Sequence, residues 1–402
     1  MKVIILHRNS FDVIGGVEST IYYMAKELNN LGFEAIVVAK KRTDSVQQDN
    51  NNFCKVIRYK PSRYLKKATV LFHPYLEYKN AFKDLKNIIL HEKPDFIISR
   101  DNLLSYAISH YYNSNKIVYI PLGVIKYYNL KRKETENIKS FILELIRYIQ
   151  LKQESFFQLK ALKKLKHIVV FSNNMKNQIY HAIGDTTKVS VVHPGVAEKF
   201  IPMNTEKTTI RDEFSIPTNK KIFLFVGRVV REKNIRMLIE AFKKSNYKDS
   251  YLIIVGGGDD LEYVKNMVEK LQLTKNVFFT GFRKDTELFY REASFFVLPS
   301  YYESFGNVIL EAMASGTPVI GFKTEEGKTL TAVGELIENE KNGFVCENYS
   351  LNSLVRALNK AHTIYGTAEY KKMRKYCAES TRLNFSWNKF LKRILNVLQN
   401  EV

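Results

Sequence analysis

Strand and helix signals alternate along this 402-residue chain, stop at a polar stretch, and then begin to alternate again. A short apolar run with turn residues on both sides, followed by a segment with apolar residues at helical spacing, predicts a parallel strand with a covering helix. Lys2 to Leu6 is the first such strand. Gly15-Gly16 breaks the chain after it, and Val17, Ile21, Met24, Ala25, Leu28 and Leu31 then follow at helical spacing before Gly32. Further strands are predicted at 35–38, 96–98, 117–120, 168–171 and 189–192. The polar stretch 198–221 carries few apolar residues and marks a boundary. Beyond it come strands at 222–226, 252–255, 277–280 and 294–298, with helices at 234–244, 261–271 and 285–292 between them. The expectation is α/β: two Rossmann-like doubly wound parallel-sheet domains, 1–200 and 201–402. The final segment, about 385–402, is expected to pack back toward the first domain.

Composition narrows the setting. The hydrophobic share of 45% and the charged share of 26% suit a globular chain with a sizeable core. No apolar run approaches the roughly 18–20 residues that span a bilayer. The apolar part of the opening, Val3 to Leu6, is too short for a secretory signal. Cys54, Cys346 and Cys377 are scattered, which indicates neither a zinc site nor a disulfide framework. A cytoplasmic setting is expected. Charge is the unusual property, with 62 Lys and Arg against 41 Asp and Glu, net +21. Residues 1–200 hold 32 basic and 17 acidic residues, whereas residues 201–402 hold 30 and 24. Such an excess attracts anionic partners. The stretch 126–166, with eleven basic residues against four Glu, reads as a basic amphipathic helix suited to an anionic membrane surface. Its competing reading is a core-packed helix with a solvated back. Cys54 to Lys67 holds six basic residues and no acid, and reads as a basic loop with aromatics. No nucleic-acid motif accompanies it, so no nucleic-acid partner is expected.

The chemistry concentrates in Leu298 to Gly321, LPSYYESFGNVILEAMASGTPVIG. A strand ends there at a Pro-Ser break, an exposed acid follows at Glu303, and a helix opens at Ser304-Phe305-Gly306-Asn307. A helix start leaves about four N–H groups without partners and carries roughly half a positive charge, which suits a phosphate. Gly306 has no side chain to hold a ligand away from those amides. Glu311, eight positions after Glu303, can present a carboxylate to a vicinal diol such as a ribose.

This string resembles the Glu-x7-Glu signature of retaining nucleotide-sugar glycosyltransferases of family 4, which share the two-domain GT-B fold. Phe223 to Arg228 followed by Glu232-Lys233-Asn234 resembles that family's diphosphate clamp. Val191 to Val196, Gly15 to Glu18, Asn342 to Val345 and Phe385-Ser386-Trp387 also fall where the family has such motifs. The resemblance implies a GT-B fold facing a central cleft and transfer from a nucleotide diphosphate sugar, a UDP-sugar first among donors. It implies no cofactor and no metal. Arg228 and Lys233 would neutralise the leaving diphosphate, and Glu303 would contact the donor sugar. Gly16, Gly227, Phe305, Gly306, Asn307, Val308 and Glu311 would bind the donor. The acceptor would be a glycan or a polyprenyl-linked precursor in surface polysaccharide biosynthesis, reached at the inner face of the cell membrane.

The chain departs from the family in its first domain. Relatives carry histidines near the ends of two strands where Arg100 and Leu122 stand here, so Arg100 and Asp101 become the acceptor-side candidates. His7 and His193 also lie near strand ends. Gly256-Gly257-Gly258-Asp259 lacks the GxGxxG spacing of a dinucleotide fingerprint and reads as a turn. The role of Glu325-Glu326-Gly327 stays open. Two other classes are compatible with the pattern: an anionic-surface or nucleic-acid binding Rossmann pair without transferase activity, and a GT-B sugar-nucleotide epimerase.

Overall fold

The computed structural model describes residues 1–9, 15–41, 48–51, 54–60, 67–125, 138–201 and 210–399. The chain divides into two compact units, Met1–Pro194 together with the segment from Trp387 onward, and Gly195–Ser386.

The first unit is built on a sheet of eight strands: β1 (Lys2–Leu6), β2 (Glu34–Lys40), β3 (Gln48–Asn51), β4 (Cys54–Tyr59), β5 (Phe96–Ser99), β6 (Ile117–Tyr119), β7 (His167–Val170) and β8 (Val189–Val191). Their order is β3-β4-β2-β1-β5-β6-β7-β8, all parallel except the edge strand β3, which runs antiparallel to β4. The helices are α1 (Gly16–Asn30), α2 (His73–Glu92), α3 (Asn102–Ile108), α4 (Ile138–Lys164) and α5 (Asn173–Ile183). The interior strands read as unbroken apolar runs because they are buried on both faces. Local chemistry fixes the helix ends. Asp101 caps α3 by accepting from the amides of Leu103 and Leu104, and Ser172 caps α5 through the amide of Met175. Gly184 closes α5 in the left-handed conformation.

The second unit holds a six-stranded parallel sheet: β9 (Lys221–Val226), β10 (Ser250–Val255), β11 (Val277–Gly281), β12 (Phe295–Leu298), β13 (Val319–Phe322) and β14 (Gly343–Cys346). The order β11-β10-β9-β12-β13-β14 is that of a dinucleotide-binding Rossmann sheet. Its helices are α6 (Ile210–Glu213), α7 (Ile235–Lys244), α8 (Leu261–Lys270), α9 (Thr286–Glu292), α10 (Asn307–Ala314), α11 (Val333–Leu336), α12 (Leu351–Ile364) and α13 (Ala368–Asn384). One core joins Phe223 and Phe225 of β9 to Leu238 and Phe242 of α7 and to Leu354 and Leu358 of α12.

The last helix, α14 (Trp387–Gln399), belongs to the first unit. Trp387 stacks on Tyr23 of α1 at 6.0 Å, Phe390 meets Phe171 edge-on, and Asn388 Nδ2 donates to Glu27 at 2.8 Å.

Several sequence expectations need correcting. The division falls after Pro194, ahead of the polar stretch at 198–221. The supposed basic loop from Cys54 begins as strand β4, in which Arg58 is buried and Lys55 pairs with Glu92 of α2 at 2.8 Å. Lys55 and Arg58 therefore belong to the sheet; Arg63 and Lys66 lie outside the described residues. β13 and β14 were not anticipated as strands.

Candidate functional site

In a doubly wound sheet, a crevice opens at the carboxyl ends of the two central strands whose connections run to opposite sides. In the second unit those strands are β9 and β12. The chain leaving β9 enters Gly227, and its amide bonds to Val255 O at 3.0 Å. Gly227 has φ +154°, and a Cβ there would approach the Phe225 ring at 3.3 Å. Arg228 follows with its side chain 69% exposed and a loose contact to Glu232 at 3.4 Å. A 3-10 turn over Arg231–Lys233 then leads into Asn234, left-handed at φ 48°, whose side-chain Nδ2 donates to the Tyr349 hydroxyl at 2.5 Å.

The chain leaving β12 meets this turn. The Tyr301 amide bonds to Glu232 O at 3.1 Å, and the Glu303 amide to Leu330 O at 2.8 Å. This places Glu303 against Lys233, and the two form an ion pair with side chains only 14% and 16% exposed. Glu303 is therefore a half-buried, paired acid and not the exposed one the sequence suggested. Two residues seventy positions apart, proposed from separate motifs, are brought into contact at the switch point.

Gly306 starts α10 at φ +84°, a conformation that favours glycine. A Cβ at that position would lie 3.0 Å from Glu303 Cγ and 3.2 Å from Ile309. Phe305 is buried beneath it, and Asn307 and Val308 form the first turn. No side chain from the cap residue occupies the amino end of α10. Glu311, one turn further on, accepts from the Tyr290 hydroxyl at 3.0 Å. Burial pushes its carboxyl up to about 7, with the Tyr290 bond working against the rise. No local pattern marks Tyr290, which lies on α9.

The triple glycine is structural. A Cβ on Gly256 would fall 2.0 Å from Gly227 O, and one on Gly258 would fall 2.5 Å from Val229 O. Backbone packs directly on backbone there, and this sets the path of the Gly227-Arg228 loop. Glu325 is structural as well: it accepts from the Tyr349 amide at 2.8 Å and pairs with Lys328, closing the turn through Gly327.

The first unit has its own switch point, between β1 and β5. A cavity of about 450 Å³ opens there, lined by residues that include Arg8, Lys40, Glu77, Arg100, Asp101 and Glu154. Arg8 bridges Asp101 at 3.0 Å and Glu154 of α4. Burial opposes its charge, but the two carboxylates outweigh that and hold the guanidinium protonated. Asp101 thus caps α3 and pairs Arg8 while lining the cavity beside Arg100. Arg100 stacks on the Phe171 ring at 4.7 Å. Burial lowers its pKa to about 9. Gln158 supports the cavity wall, accepting from the Ile125 amide and donating to Gly123 O. His7 bonds Glu18 at 3.1 Å and His193 bonds Phe171 O at 2.8 Å, so both are tied locally. Gly16 is the exposed first residue of α1, and nothing in the fold would meet a Cβ there.

Two Rossmann-type units with a phosphate-ready helix start at one switch point and a polar cavity at the other define a GT-B architecture. The chain belongs to the GT-B glycosyltransferases of family 4: the family described as Glycosyltransferase Family 4 matches residues 14–200, and Glycosyl transferases group 1 matches residues 206–383. An uncharacterized glycosyltransferase of Methanocaldococcus jannaschii is 29% identical over 57% of this chain and 59% of its own. A D-inositol 3-phosphate glycosyltransferase of Corynebacterium glutamicum is 35% identical over 40% and 41%. An Escherichia coli UDP-Gal:alpha-D-GlcNAc-diphosphoundecaprenol alpha-1,3-galactosyltransferase is 31% identical over 43% and 45%. The chain thus spans about half the length of the curated relatives it matches. Solved structures share the fold throughout. Sucrose-phosphate synthase from Thermosynechococcus elongatus superposes with TM-score 0.78 at 18% identity, over 100% of this chain and 98% of that one. Anabaena HepE in complex with UDP and glucose gives 0.70 at 18%, over 100% of both.

Proposed function

We propose that this protein moves a hexose from a nucleotide diphosphate sugar, a UDP-sugar first, to a glycan or polyprenyl-linked acceptor in surface polysaccharide biosynthesis. The transfer retains anomeric configuration and needs neither a metal nor a cofactor beyond the donor. The observation that carries this reading is the Lys233–Glu303 pair beside the amino end of α10. Lys233, Arg228 and the amides at 305–308 neutralise the diphosphate as its bond to the sugar breaks. Glu303 orients the sugar hydroxyls, and Glu311 lies one helical turn along for the ribose. The departing phosphate oxygen takes the proton of the acceptor hydroxyl as the new C–O bond forms on the same face. The UDP in the HepE complex and the diphosphoundecaprenol acceptor named for the Escherichia coli relative support this choice of substrates.

The experiment is a thermal-shift screen of UDP, GDP, ADP and their sugars, since a ligand bound only by the folded state raises its apparent stability. UDP and one UDP-sugar should give the largest shifts, unaltered by excess EDTA, and transfer should survive chelation. A shift only with another base, or activity lost to EDTA and restored by Mg²⁺, would overturn the donor or metal assignment.

The same reading puts the protein on an anionic membrane surface at the cytoplasmic face. Among the described residues no helix is long and apolar enough to cross a membrane. Support comes from α4, where Phe141, Leu145, Tyr148 and Phe156 are exposed on one helical stripe with Lys152 and Lys160. Lys152 lies over the Tyr148 ring at 5.3 Å and Lys160 over Phe156 at 5.5 Å. Vesicles containing anionic lipid should co-sediment the protein at low salt, and vesicles of neutral lipid should not. Leu145→Ser with Lys152→Glu should weaken binding and leave UDP affinity unchanged. Equal binding to both vesicles would remove this part of the reading.

A further inference from the structure

The cavity of the first unit contains a cation that no described residue pairs. Arg100 is 4% exposed, and its Nε and Nη1 make no hydrogen bond. Among the described residues, every acid lining the cavity is engaged elsewhere. Asp101 holds Arg8 and the amides of Leu103 and Leu104, Glu154 holds Arg8 through Oε1, and Glu77 holds Lys40 at 2.7 Å. Glu18, the acid whose charge acts on Arg100, is bonded to His7. Burying a guanidinium without a hydrogen-bonded counter-charge is costly. Stacking on Phe171 occupies only a face of the guanidinium plane and leaves the N–H edges for a planar or tetrahedral oxyanion. The same cavity holds a second unmet group of opposite polarity, Glu154 Oε2, which is buried without a donor. One ligand that satisfies both carries an oxyanion and, close by, a hydroxyl.

We infer that this cavity is a subsite for a hydroxylated oxyanion, a polyol phosphate or hydroxy-carboxylate group, received by Arg100 with Glu154 accepting from a neighbouring hydroxyl. The inference rests on the reading of the first unit as the acceptor side, and it specifies the acceptor as anionic where it enters the cavity. About 450 Å³ admits a group the size of one sugar or polyol phosphate.

The test uses the full chain with saturating UDP, so that phosphate cannot report on the donor clamp. Calorimetry and thermal shift are run with inorganic phosphate, glycerol 1-phosphate, glycerate and glycerol. Glycerol 1-phosphate or glycerate should bind, and which of the two binds more tightly tells phosphate from carboxylate; glycerol alone should not bind. Arg100→Met should weaken that affinity roughly ten- to hundred-fold, as for loss of a charged hydrogen bond. Without anion, the variant should melt no lower than wild type, because a buried unpaired charge is gone and an apolar chain still covers Phe171. Phenylglyoxal labelling of wild type, mapped by peptide mass, gives a readout independent of any variant: the bound oxyanion should protect Arg100. An unchanged affinity in Arg100→Met, a fall in melting temperature without a loss of binding, or no protection of Arg100 would each overturn the subsite. Failure of UDP itself to bind would count against the donor reading instead.

Discussion

Two arginines stand just past a central strand of a switch point, on opposite sides of it: Arg228 beyond β9, which opens its sheet, and Arg100 beyond β5, the strand that faces β1 across the switch. Their surroundings are opposite. Arg228 projects into solvent with one loose acid contact, whereas Arg100 is enclosed, stacked and without a hydrogen bond from two of its nitrogens. In the second unit the enclosed cation is instead Lys233, and it comes with a resident carboxylate, Glu303. One unit therefore balances its enclosed charge and leaves its spare charge exposed. The other pairs Arg8 and leaves the enclosed Arg100 without a hydrogen-bonded counter-charge among the described residues. The difference teaches that position in a fold supplies the location of a site, while the counter-charge supplied by the rest of the chain decides what that site can accept.

The comparison is broken most readily at Lys233. Lys233→Ala should lower turnover by on the order of 10²–10³, as for other losses of transition-state charge stabilisation, and should leave Glu303 half-buried and unpaired. Steady-state kinetics with the preferred UDP-sugar, alongside circular dichroism to confirm folding, measure this; wild-type rates would show that the pair is only a strut. Arg228→Ala should cost less, about 10–10²-fold, because an exposed side chain must be ordered before it contributes. If Arg228 proves the more costly loss, the enclosed cation is not the principal clamp.

A smaller effect sharpens the same contrast at Glu311. Its carboxyl titrates near 7 in the folded chain against an ordinary value of 4.5. Between those values the folded state keeps a proton that the unfolded state has released. The stability this gives is fully present below the ordinary value and is lost as pH rises through about 7. Glu311→Gln removes that dependence, so its melting temperature should gain on wild type from pH 5 to pH 8. A gap that stays constant across that range would place the carboxylate in water.

Much of this arrangement was legible in the chain. The doubled alternation gave both sheets, and the run from Glu303 to Glu311 located α10 and its glycine start, because strand periodicity and helix-start chemistry are local. What escaped was non-local. Lys55 and Arg58 counted as loop charges until Glu92 and the sheet edge were seen around them. The Arg8–Glu154 pair joins residues 146 positions apart, and the Tyr290–Glu311 bond joins two helices. No spacing rule encodes such partners, so the acid-base state of Glu311 and the enclosure of Arg100 emerge only in three dimensions. The missing histidine at position 100 was visible; that its replacement lies buried on Phe171 was not.

The return of α14 to the first unit has a consequence for how the protein is made. Phe390, Leu391, Ile394 and Leu398 are all buried, and the surface that receives them lies on elements synthesised before Pro194. A chain emerging from the ribosome at about 5–20 residues per second completes the amino-terminal sheet early, then waits while the whole of Gly195–Ser386 is translated before its closing helix exists. Throughout that interval an apolar groove beside α1 is open to solvent. The unit that begins ahead of Gly195–Ser386 is therefore finished after it, and until α14 emerges its uncovered surface is open to aggregation and to chaperone capture.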